Sequence, residues 1–123
     1  MKVFVFGNWE LDFDSTPLKI LPELKKMFPK IDFEIKDPNE DWDIPDGLII
    51  IDTVLGIDKI TIFDSIKDFS QAPNITMHDF DVYANLKFLD KLDKLKKIKI
   101  IGVPSTTSEK EAIEKIFPIL GFS

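Results

Sequence analysis

"GLIIIDTV", residues 47–54, decides the fold. Leu48, Ile49, Ile50 and Ile51 follow one another with no polar residue between them, so the segment has no face to offer to water. A half-buried strand alternates apolar with polar, whereas an unbroken aliphatic run bounded by turn residues reads as a strand covered on both faces. "IKIIGV", residues 98–103, repeats the pattern. Strands of that kind belong to parallel sheets packed between helices. Three more β-branched or apolar runs, at 2–6, 31–36 and 59–63, bring the expected strands to five, with the two nearly continuous aliphatic ones at 48–52 and 97–103.

Helical patterns lie between and after these runs. The first takes Ser15 or Thr16 as N-cap and Pro17 at its first position. Its apolar stripe is Leu18, Leu21, Leu24 and Phe28, and Pro29 stops it. The second carries Phe80, Tyr83, Leu86, Leu89 and Leu92 at helical spacing. The third opens on a capping box, Ser108 with Glu111, buries Ile113, Ile116 and Leu120, and ends at Gly121; Pro118 is expected to kink or shorten it. The fourth strand follows the third too closely for a parallel crossover, so it is expected as an antiparallel edge strand. Residues 37–47 have about the minimum length for a crossover and read as loop, with Trp42 and Ile44 as a core plug. The expectation is a three-layer, doubly wound α/β domain spanning residues 1–123. Its five-stranded sheet is mostly parallel, with one antiparallel edge strand.

Composition narrows the function. A formal net charge of −6 argues against nucleic acid, which calls for a basic face. All 16 basic residues are lysines, so no guanidinium fork is available to clamp a phosphate or carboxylate. With no cysteine there is no disulfide, no thiolate nucleophile and no Cys-rich zinc site, and any soft metal ligand must come from a partner. Residues 1–6 are too short for a signal-peptide core, and no apolar run approaches the ~20 residues of a membrane span. A cytoplasmic protein without membrane insertion is expected.

In doubly wound sheets ligands bind beyond the carboxyl ends of the parallel strands. The loop after the first strand has no G-x-G-x-x-G and no Walker sequence; it carries Glu10, Asp12 and Asp14 instead. Such acids repel a phosphate unless a metal intervenes. Asp52 stands at the end of the third strand run, where it can serve as a loop cap or as a ligand. His78 is the one histidine, placed where "NITMHDF", residues 74–80, turns into a helix. It can be structural, or it can project towards the strand ends. Two carboxylates and an imidazole from such loops suit a divalent transition metal. The hydroxyls of Ser105, Thr106, Thr107 and Ser108 read as a turn and helix cap, since no G-x-S-x-G elbow supports a nucleophile.

Three segments resemble the hydrogenase maturation protease family, endopeptidases that trim the C-terminal extension of nickel-iron hydrogenase large subunits after nickel insertion. "VFGNWELDFDSTPLKI", residues 5–20, resembles the family's strand-G-N-x-L-x-x-D-[DE]-G-x-G-helix opening, with Asp14 at the second acidic position. "DGLIIIDTV", residues 46–54, resembles its strand ending in Asp-Ala, with Asp52 as the acid. "ITMHDFDVYANLKFL", residues 75–89, resembles its Ser/Thr-x-His segment, with His78 as the histidine; "KIKIIGVP", residues 97–104, resembles the last strand. The resemblance implies a phosphorylase/hydrolase-like fold and a metal-dependent peptidase. Asp14, Asp52 and His78 would be its catalytic and metal-engaging set. Nickel would arrive on the substrate, held by precursor thiolates, and no organic cofactor is implied. The partner would be a nickel-iron hydrogenase large-subunit precursor.

The chain also departs from that pattern. Phe13 replaces the first acid of the pair, and Ser15 and Pro17 replace the two glycines. "KDPNEDWD", residues 36–43, stands where the family has a D-G-G-T loop tied to substrate recognition. An alternative is a non-catalytic metal-binding or hydrogenase-assembly adaptor on the same fold. A response-regulator receiver fits less well: it needs an acidic pair directly after strand one and a lysine after strand five, where this chain has Gly7-Asn8 and Pro104-Ser105.

Overall fold

The unbroken aliphatic run is the centre of the sheet. The computed structural model describes residues 2–7, 9–10, 15–36, 47–54, 56–64 and 98–121. They form β1 (Lys2–Val5), α1 (Thr16–Met27), β2 (Asp32–Ile35), β3 (Leu48–Val54), β4 (Thr61–Phe63), β5 (Ile98–Pro104) and α2 (Glu109–Gly121). The strands lie in the order β2-β1-β3-β5-β4. The β1–β2, β1–β3 and β3–β5 pairs are parallel, and β4 runs antiparallel to β5 at the edge. This is the expected α/β architecture, a mostly parallel five-stranded sheet with one antiparallel edge strand, flanked by helices. The second expected helix, at Phe80 to Leu92, and the plug residues Trp42 and Ile44 lie outside the described residues.

All seven residues of β3 are buried, as the pattern requires. Its odd-numbered side chains, Ile49 and Ile51, join Val3, Val5, Ile101 and Val103 in a core closed by Leu18, Leu21 and Leu24 of α1 and by Ala112, Ile116 and Leu120 of α2. Even-numbered side chains occupy the opposite face. There Phe4, Ile50 and Ile100 are adjacent in register and have no exposed surface. Lys36 lies with its ammonium 5.1 Å from the centre of the Phe4 ring.

The helix boundaries follow their caps with small shifts. Ser15 is the N-cap of α1, and its carbonyl accepts the amides of Leu18 and Lys19 at 3.0 Å each. Thr16 is therefore the first helical residue, and Pro17 stands second. Pro22 sits inside α1 on its exposed side, where the missing N–H and the ring cost least in packing. The capping box of α2 is present in one direction, with Glu111 N–H donating to Ser108 Oγ at 3.1 Å. Pro118 does not shorten α2, which runs on to Gly121. Between β3 and β4 the chain turns through Gly56 at φ 84°, a left-handed conformation that glycine adopts without a steric penalty.

Candidate functional site at the switch point

The strand order reverses between β1 and β3: from β1 the chain moves outward to β2, then returns to the other side of β1 to form β3. Such a reversal opens a crevice beyond the carboxyl ends of the two strands, because their connections leave in opposite directions. At that end β1 gives way to Phe6, Gly7 and a turn containing Trp9 and Glu10, and Trp9 is 61% exposed. Ser15 and Thr16, which begin α1, are buried.

Asp52 is the sequence candidate that the described residues include. It lies within β3 and not at its end, since the strand continues through Thr53 and Val54. The extra two residues pair with Val103 and Pro104 of β5. Its side chain shares the face of Phe4 and Ile50 and is 0% exposed. Phe6 N–H donates to the Ile51 carbonyl at 2.9 Å, which extends the β1–β3 pairing and sets Phe6 beside Asp52.

On its other side Asp52 pairs with Gly102. A Cβ at Gly102 would stand 2.9 Å from Phe63 Cε2 and 3.1 Å from Val54 Cγ2, so glycine there lets those side chains close in next to the acid. Among the described residues the carboxylate is thus flanked by aromatic and aliphatic groups, a setting that is costly for a charge without compensation. Part of that compensation is the bond from Thr53 N–H to Asp52 Oδ1 at 2.9 Å. This is the backbone-capping contact open to any aspartate, made here in mid-strand.

Asp14 and His78 lie outside the described residues. Asp14 immediately precedes Ser15, the N-cap of α1. Among the described residues, no group of three His, Asp or Glu side chains gathers to hold a metal.

Sequence reasoning missed Thr53. It points to the face opposite Asp52, is 1% exposed, and its Oγ1 has no hydrogen-bond partner among the described residues. Alternation along the strand places it inside, but its type gives no hint that the hydroxyl is left unpaired. An unsatisfied buried hydroxyl destabilises, and valine has the same shape without it. Thr53→Val is therefore expected to raise stability by about 1 kcal/mol, read as a higher urea midpoint at unchanged slope. A lower midpoint would mean that the hydroxyl is bonded.

The fold is similar to that of two solved hydrogenase-maturing proteases. The hydrogenase maturating endopeptidase HybD from E. coli superposes with a TM-score of 0.69 over 98% of this chain and 92% of its own, at 19% identity. The hydrogenase 3 maturation protease superposes with a TM-score of 0.58 over 96% of this chain and 87% of its own, at 16% identity. The shared property at those identities is the fold. No protein-family model and no curated protein sequence matches the chain.

Proposed function

We propose that this chain is a single-domain, cytoplasmic endopeptidase of the hydrogenase-maturation type, which removes the C-terminal extension of a nickel-iron hydrogenase large-subunit precursor. The observation that carries the reading is the position of Asp52, a carboxylate buried near the carboxyl end of β3 beside the switch point. It stands on a fold shared end to end with two such proteases. Among the described residues, no helix is long and apolar enough to cross a membrane.

In this reading Asp14, Asp52 and His78 meet the nickel that the precursor carries on its own thiolates, and they supply the harder oxygen and nitrogen donors. Two carboxylates facing each other repel, and a divalent cation brought by the substrate relieves that repulsion. A precursor without nickel lacks this term and is left uncut. Water is the nucleophile, polarised by the metal or by a carboxylate. Because Asp52 has no exposed surface, engagement requires the arriving substrate to open the site.

The test is to incubate the purified chain with nickel-loaded and nickel-free precursor and to weigh the products. Shortening of the loaded form alone is the expected result. Asp14→Asn and His78→Ala should each abolish it in folded protein. Equal cutting of the empty precursor would refute metal sensing. Tight binding of the loaded precursor with no cutting would replace the protease with an assembly adaptor.

A further inference from the structure

The sheet ends on one side at β2, and β2 is only half paired. In a parallel ladder a residue sends its N–H and C=O to the same neighbouring strand, and the next residue sends both the other way. Lys36 N–H donates to the Val5 carbonyl at 3.0 Å, so the even-numbered residues here turn towards β1. Phe33 and Ile35 therefore turn their four backbone groups away from the sheet, and among the described residues nothing bonds them.

The side chains along β2 are equally uneven. Asp32 and Glu34 on one face are held by Lys2, at 3.9 and 3.3 Å. On the other face Ile35 is 55% exposed, although it closes a strand next to the core. Edge strands are usually protected by charge, proline or a covering segment. At Ile35 an apolar side chain and open backbone groups are presented together.

We propose that β2 is the docking edge for an extended segment of the protease's own substrate, which joins the sheet as an additional strand and packs an apolar side chain on Ile35. The inference rests on the endopeptidase reading above. Backbone chemistry sets the form of the occupant, since donor and acceptor sets two residues apart, ~6.6 Å along the strand, are matched by another extended chain, and the endopeptidase reading makes the substrate that chain. The edge also runs towards the end of the sheet where Asp52 lies. A strand docked outside β2 stands three inter-strand spacings from β3, ~14 Å. The cut bond therefore lies at least about four extended residues from the docked segment.

Ile35→Pro tests this without touching the β1 ladder, because it deletes an N–H that faces outward. With nickel-loaded precursor, KM is expected to rise about tenfold with kcat within about twofold, and Ile35→Val should restore wild-type KM. Hydrogen exchange of wild-type protein, resolved to single residues, should show the amides of Phe33 and Ile35 slowing at least about tenfold when precursor saturates the site. Unchanged KM in Ile35→Pro, or unchanged exchange at both amides while wild type cuts, would overturn the docking edge and leave the protease reading intact. Wild type that neither binds nor cuts would overturn both. Concentration-dependent protection of the same amides in the protein alone would assign the edge to a second copy of the chain and overturn the proposal.

Discussion

Asp52→Asn is expected to reduce nickel-dependent cleavage by at least about a hundredfold while leaving the protein as stable as wild type, or stabler. The two halves of that expectation come from one observation. Asp52 has no exposed surface and is flanked by Phe6 and by the Phe63 and Val54 side chains that close over Gly102. Holding a carboxylate there is costly, and a fold that needed only a cap for Thr53 N–H could use a neutral acceptor. Asparagine keeps the shape and can still accept that bond, but it cannot bring a negative charge to a metal. Loss of cutting with an equal or higher melting temperature identifies a residue kept for function at the expense of stability. Retained cutting with a stability loss above ~2 kcal/mol would identify a structural aspartate instead.

Ile50→Ala carries the largest expected effect on stability. Ile50 is central in β3, in register with Phe4 of β1 and Ile100 of β5, and none of the three has exposed surface. The neighbouring strands hold those side chains in place, so a cavity left by the truncation cannot collapse. Burial lost plus cavity formed amount to ~2–5 kcal/mol. For a chain of this size that is roughly 10–20 °C in melting temperature, measurable by calorimetry. A drop below ~1 kcal/mol would mean that this face is loosely packed, and the setting argued for Asp52 would fall with it.

β3 and β5 were legible because burial on both faces writes itself as a nearly unbroken aliphatic run, short enough and bounded closely enough by turn residues to read as a strand. The edge position of β4 was legible from chain length alone, since the short link after β3 cannot carry a parallel crossover. The ends of strands were less legible. β3 runs two residues past Asp52 because Thr53 and Val54 find partners in β5, and pairing between distant segments has no local signature. Pro118 misleads for a related reason. It lies on the exposed side of α2, and the buried anchors Ile116 and Leu120 hold the helix on both sides of it. Asp52 could be singled out from its place after "LIII", but its burial could not, because that depends on Phe6 and on the side chains that fill the space at Gly102. Whether Asp14 and His78 converge on it is a question of loop placement, which residue type and spacing do not encode.

The place of β5 between β3 and β4 also governs how the protein is made. Chain synthesis delivers β1, β2, β3 and β4 before the strand that joins the last two. Until residues 98–104 leave the ribosome, one edge of β3 and the whole of β4 lack their partner. The aliphatic run that centres the finished sheet is then an unpaired, strongly apolar edge, the kind of segment that associates with other chains. The sheet closes by inserting a late strand between two earlier ones, through contacts distant in sequence, a slow step by its topology. The interval before residues 98–104 emerge is therefore the one in which residues 48–54 are most open to association with other chains.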